Sequence, residues 1–206
     1  MKRIKNLIFD LGGGIINLNV PKTIKEFESI GITDIVNDTG HHYMDNIFYD
    51  FEIGEVSEIE FIKSLKSKSN LNPSDDEIRE AWNTMILDIP SDRIDILFRL
   101  KNKYNIFLLS NTNSIHQKKF ISEVNEENNI SFNNLFKKTY YSHEIGIRKP
   151  CEELFNYVLK DSKLNAEETL FIDDSLDNVR VAEKVGLITF LINDYNLLEV
   201  LDIIKS

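Results

Sequence analysis

Four short stretches of the chain place polar residues where apolar runs end. Asp10 follows Leu7-Ile8-Phe9 and precedes Leu11-Gly12-Gly13-Gly14. Ser110-Asn111-Thr112-Asn113 follows Ile106 to Leu109, and Asp173-Asp174 follows Leu170-Phe171-Ile172. Arg148-Lys149-Pro150 lies in a loop that also holds Gly146. If the apolar runs are parallel strands, these tips share one sheet edge, and three carboxylates, a lysine, a hydroxyl and an amide converge on one crevice. Three acids that close together cannot all ionise unless cations compensate. Lys149 supplies one positive charge, and a hard divalent ion with oxygen ligands, such as Mg2+, would supply two more. The neutralised site would hold a carboxylate nucleophile and phosphate donors from Ser110, Asn111 and Lys149. The glycines after Asp10 let backbone N–H groups approach an anion closely. Phosphoryl transfer asks for this combination of positioning and charge neutralisation.

Positioning those tips requires strands at residues 6–10, 105–110, 139–142, 169–173 and 188–192. Their apolar runs are continuous rather than alternating, which predicts strands covered on both faces. Amphipathic helical stretches lie between the later strands. Ile94, Leu97, Phe98 and Lys101 share one helical face, and so do Leu154, Phe155, Val158 and Leu159. The fold class read from this alternation is α/β: a doubly wound, Rossmann-like parallel sheet. The gap between the first two strands is long and reads as helical. Ser57-x-x-Glu60 and Ser74-x-x-Glu77 are capping-box patterns, and Pro73 and Pro90 punctuate the segment. The expected organisation is a core of residues 1–16 and 90–206 with a helical cap of residues 17–89 above the carboxyl ends of the strands. The aromatics Tyr43, Phe48, Tyr49, Phe51 and Trp82 are expected in the cap's own core.

Composition narrows the function classes. The 206 residues carry 24 Lys and Arg against 34 Asp and Glu, a net charge of −10, which argues against nucleic acid as a partner. Hydrophobic residues at 42% suit a folded domain rather than a disordered chain. No apolar run approaches the ~20 residues that span a bilayer, so no membrane partner is expected. The lone cysteine, Cys151, excludes an internal disulfide and a thiolate zinc cage. The apolar run before Asp10 is too short for a signal-peptide core, so the expected location is cytoplasmic. No isologous patch marks an oligomeric state. Gly12-Gly13-Gly14 is not a dinucleotide fingerprint, because the third glycine would fall at Asn17. His116 and His143 show no metal-ligand spacing, and 123–129 reads as a solvated loop or helix end.

Taken in order, Phe9-Asp10-Leu11-Gly12-Gly13, Leu109-Ser110-Asn111-Thr112, Lys149-Pro150 and Phe171-Ile172-Asp173-Asp174 resemble the four motifs of the haloacid dehalogenase (HAD) superfamily. The resemblance spans nearly the whole chain, with the insertion where that family carries a helical cap. Asp173-Asp174-Ser175-Leu176-Asp177-Asn178 is similar to the branch of bacterial sugar-phosphate phosphatases and the phosphatase domain of soluble epoxide hydrolase. The resemblance implies that Asp10 attacks phosphorus and forms an aspartyl-phosphate. It implies that Asp10, the Gly12 carbonyl and Asp174 hold Mg2+, with Asp173 and Asn178 orienting its waters. It further implies that Ser110 and Asn111 bind the phosphoryl oxygens and that Lys149 neutralises charge. The partner so implied is a small phosphorylated metabolite.

The chain departs from the family pattern at Gly12, where the family's general acid–base aspartate usually stands. General acid–base help is typically worth about 10²–10⁴-fold. His41 and His42 are the cap residues that could replace it. Gly14 stands where a β-branched residue is usual, and Cys151 where this branch often has Asp, a helix-start change. Two alternatives to a phosphatase follow: a catalytically degenerate binding or regulatory protein, or a metal-independent 2-haloacid dehalogenase. Phosphomutase or phosphotransferase activity ranks below both, since it needs the missing acid–base even more.

Overall fold

In the computed structural model, the described residues are 3–33, 35, 45–128, 130–193, 197, 199 and 200. His41, His42 and Tyr43 lie outside them, as does most of the C-terminal stretch. Five parallel strands form one sheet: β1 (Asn6–Phe9), β2 (Asn105–Ser110), β3 (Lys138–Tyr141), β4 (Thr169–Asp173) and β5 (Ile188–Leu191), in the order β3-β2-β1-β4-β5. β1 therefore sits in the middle, between β2 and β4. The pairing Phe9↔Ile172 sets Asp10 level with Asp173, and the Asp10 N–H still donates to the Ile172 carbonyl at 2.9 Å.

The doubly buried strands explain their apolar runs. Leu7 and Phe9 face one side with Leu108, Leu170 and Ile172. There they meet Ile94, Leu97 and Leu100 of α5 (Ser91–Lys101) and Phe120 and Val124 of α6 (Ser114–Asn128). Ile8 faces the other side with Phe107, Leu109 and Phe171. That side is covered by Leu154, Phe155 and Val158 of α8 (Glu152–Asp161) and Ala182 of α9 (Leu176–Lys184). Each strand thus divides its residues between two cores by its two-residue period.

Between β1 and α5 the described residues form four helices: α1 (Val20–Ser29), α2 (Asn46–Glu52), α3 (Glu58–Lys68) and α4 (Asp75–Asn83). Both predicted capping boxes form. Ser57 and Glu60 open α3, and Ser74 and Glu77 open α4, each pair satisfying two helix-end N–H groups reciprocally. These helices bury a separate apolar cluster of Phe27, Phe48, Phe51, Phe61 and Trp82, joined by Ile115 of α6. Phe51 stacks on Phe61 with centroids 4.3 Å apart. Tyr49 departs from the expectation for the aromatics: its ring lies beneath the Arg148 guanidinium, 4.6 Å from centroid to Cζ.

Some boundaries shift. β1 and β5 stop one residue before the predicted ends. β3 runs 138–141 rather than 139–142, because Ser142 opens the short helix α7 (Ser142–Ile145) and its hydroxyl bonds the Thr112 backbone. Residues 123–128 complete α6. Cys151 is exposed at the start of α8. Among the described residues, no helix is long and apolar enough to cross a membrane.

Candidate active site

The carboxyl ends of β1, β2 and β4 and the loop after α7 bring the sequence-predicted residues together. Lys149 is the hub. Its side chain is 1% exposed, and its Nζ donates to Asp10 Oδ1 at 2.5 Å and to Asp173 Oδ2 at 2.7 Å. Burying an ammonium is costly unless its hydrogen bonds are met by carboxylates. Burial pulls Lys149 down, but Asp10 and Asp173 outweigh it and hold the ammonium above its ordinary pKa.

Asp173 is fully engaged as an acceptor. Besides Lys149, it takes the Ser175 N–H at 2.8 Å and the Asn178 side-chain amide at 3.0 Å on each oxygen. Its position is therefore fixed from behind by α9, which supplies Asn178 two turns short of the helix end. In this arrangement Asp173 orients Lys149, and Asn178 orients Asp173.

Asp10 sits in the opposite electrostatic condition. Burial raises its pKa to about 7; Lys149 pulls it down, while Asp173 and Asp174 push it further up. Asp174 opens to solvent, yet its carboxyl is also raised, by desolvation and then by Asp173. One carboxylate oxygen from each of Asp10, Asp173 and Asp174 lies within 4.8 Å of the others. One lysine does not compensate three such acids. An all-oxygen donor set with surplus negative charge fits a hard divalent cation such as magnesium.

Gly13 makes the close approach of Asp174 possible. It adopts φ +72°, and a Cβ there would lie 1.8 Å from Asp174 Oδ2. Only glycine meets both demands. Gly12 differs: a Cβ at that position would meet Leu18 Cδ1 at 2.8 Å. Leu18 thus fills the space into which a side chain at position 12 would project, a packing relation that the sequence alone does not reveal. Gly14 has room for a Cβ, with its nearest neighbours at 3.8 Å or beyond.

At the tip of β2, Ser110 is buried, and its hydroxyl makes only a long 3.4 Å contact to the Asn111 carbonyl. Asn111 also holds the lysine. Its Oδ1 accepts from the Lys149 N–H at 2.8 Å, and its Nδ2 donates to the Lys149 carbonyl at 3.0 Å. The side chain expected on a phosphoryl oxygen thus clamps the peptide of the lysine as well. Neither His116 nor His143 joins the acidic cluster. His116 is buried between Asn113 and the Trp82 carbonyl, and His143 contacts the Thr112 carbonyl and Gln117.

Comparison with known proteins places the fold and the family. A D-ribitol-5-phosphate phosphatase from Bacteroides thetaiotaomicron is 30% identical over 187 residues, 91% of each chain. A HAD-family enzyme from Bacteroides thetaiotaomicron, solved with magnesium and inorganic phosphate, superposes with a TM-score of 0.85 at 36% identity, covering 95% of this chain and 98% of that one. A HAD-like hydrolase from Porphyromonas gingivalis superposes at 0.88 with 31% identity, covering 98% of each. The model of the haloacid dehalogenase-like hydrolases matches residues 4–186, and the chain belongs to that family of enzymes.

Proposed function

We propose that the protein is a magnesium-dependent phosphatase that hydrolyses a small phosphomonoester, a sugar or sugar-alcohol phosphate, through an aspartyl-phosphate on Asp10. The carrying observation is the Asp10 carboxylate on the Lys149 ammonium beside Asp173 and Asp174. The relative that acts on D-ribitol 5-phosphate and the neighbour solved with magnesium and phosphate support the substrate class and the metal.

Asp10, the Gly12 carbonyl and Asp174 would hold the magnesium, with Asp173 and Asn178 behind them. The bound ion would neutralise the surplus acid and polarise the phosphoryl group. Asp10 Oδ forms a bond to phosphorus as the ester P–O bond breaks, and the leaving oxygen departs with the bond's electrons as an alkoxide that takes its proton from solvent water. Lys149 faces the charge that builds on the nucleophile and phosphoryl oxygens. Ser110 offers its hydroxyl to the same group. Water then attacks phosphorus and returns Asp10 as a carboxylate with inorganic phosphate. Residues 17–89 serve as a cap over the crevice of the 1–16 and 90–206 core, excluding water during the first step.

The 2-haloacid dehalogenase alternative fits less well. A nucleophile working without a metal ion gains nothing from two neighbouring acids that disfavour its ionised form. The degenerate binding protein keeps one specific support, Gly12 itself, which leaves position 12 without an acid–base; Leu18 Cδ1 packs where a Cβ would stand and would have to turn aside for a side chain there. A panel of sugar and polyol phosphates with Mg2+ separates these readings. The expected result is phosphate release that is lost in Asp10→Asn. Tight phosphate or vanadate binding without turnover of any compound would favour the binding protein.

A further inference from the structure

We propose that Glu52 is a positioning residue for this reaction: its buried carboxylate grips Arg148 and ties the seating of the inserted helices to the placement of Lys149. The inference rests on the phosphatase reading above. Glu52 ends α2 and is 6% exposed. A carboxylate in the last turn faces the negative end of the helix dipole, and burial further disfavours its charge. Helix stability and packing both oppose a glutamate at this position. An ion pair from the core offsets part of this cost, with Arg148 Nη2 lying 3.2 Å from Glu52 Oε2. The same guanidinium covers the ring of Tyr49, nearly one turn earlier on α2.

Arg148 directly precedes Lys149. On one side, Asn111 clamps the Lys149 peptide by both its N–H and its carbonyl. On the other, α2 holds the preceding side chain. The turn after α2 seats on the same loop. Gly54 has φ +72°, and a Cβ there would lie 2.2 Å from the His143 carbonyl oxygen. The Ile53 carbonyl oxygen sits 4.0 Å from the corresponding position on Gly146. One end of α2 and the turn after it therefore meet α7 and the loop that follows it at three places, His143, Gly146 and Arg148, ahead of the hub lysine. A second bridge between the inserted helices and the core, Glu58 to Lys118, runs to α6 instead.

Steady-state kinetics with p-nitrophenyl phosphate and D-ribitol 5-phosphate, in Mg2+, test the proposal. Glu52→Gln keeps the side-chain shape and removes the charge. The expected result is a fall in kcat of about 10²-fold with KM changed by less than about threefold, as for a misplaced catalytic group. Arg148→Lys keeps the charge but loses the planar fork, so an intermediate loss is expected. The double variant Glu52→Gln/Arg148→Lys should be no worse than the poorer single variant, because both act through one contact. Glu58→Gln should keep wild-type kcat. Folded Glu52→Gln with wild-type kcat, additive losses in the double variant, or an equal loss in Glu58→Gln would each overturn the proposal. If Glu52→Gln does not fold, Arg148→Lys carries the same test: a loss confined to kcat supports the proposal, and unchanged kinetics overturn it. Absence of turnover in the wild type would overturn the phosphatase reading and this inference together, a result distinct from wild-type turnover that Glu52→Gln leaves intact.

Discussion

Asn111 and His116 show how single side chains near the same strand tip do different work. Asn111 spends both ends of its amide on the Lys149 peptide, so Asn111→Ala leaves a buried N–H and a buried carbonyl unpaired. Each such loss costs about 1–3 kcal/mol. The expected outcome is a lower Tm, and a kcat that falls more than KM rises because the lysine loses its anchor; unchanged kcat in a folded variant would show that the clamp is dispensable. His116 acts on stability alone. Burial lowers its pKa to about 4, with the Trp82 carbonyl opposing and Lys119 adding to the fall. Between pH 6.5 and 4 the unfolded chain holds a proton on this ring and the folded chain does not, so stability drops as pH falls through that window. From pH 6.5 to 5 the loss is about 2 kcal/mol. Urea melts at pH 7, 6 and 5 should show this slope in the wild type and a shallower one in His116→Gln; equal slopes would mean that the ring protonates in place.

At the scale of elements, the readable parts are those governed by local sequence. Strands buried on both faces announce themselves as continuous apolar runs, so β2 and β4 appear with their full bounds, β1 and β5 end one residue early, and β3 slides by one residue. The capping boxes at Ser57 and Ser74 are equally local. Ser74→Ala should cost about 1 kcal/mol in a denaturant melt without altering kcat, since the Ser74 hydroxyl is exposed and bonds Glu77 at the start of α4; a change in kcat would tie α4 to the chemistry. What escapes the sequence depends on contacts between distant segments. The partner of Asn111 is 38 residues away, and nothing near Asn111 names it. Leu18 over Gly12 and Arg148 on Glu52 are likewise products of tertiary packing. α7 is a four-residue helix defined by a Ser142 hydroxyl on the Thr112 backbone. The acids and the lysine were legible because strand tips in a parallel sheet have a fixed destination; their detailed partners were not, because that destination leaves several hydrogen-bonding choices open.

For the whole molecule, the site concentrates an excess of negative charge inside a protein that already carries −10. Folding buries Asp10 beside Asp173 and Asp174, and burial, opposed by Lys149 and reinforced by the two acids, raises its pKa from 3.8 to about 7. In the metal-free protein the native state therefore holds a proton on Asp10 that the unfolded chain has released between those two values. Stability from this group is present at low pH and is lost as pH rises through the window. Asp10→Asn removes that liability together with the nucleophile. Melting in EDTA at pH 5 and pH 8 should show the wild type losing more Tm than the variant, with the variant the more stable of the two at pH 8. Adding Mg2+ should raise the wild-type Tm at pH 8, because a ligand bound only by the native state stabilises it in proportion to its occupancy. The same addition should shift Asp10→Asn much less. A wild type indifferent to Mg2+, or a variant less stable than the wild type in EDTA at pH 8, would mean that Lys149 alone balances the three carboxylates.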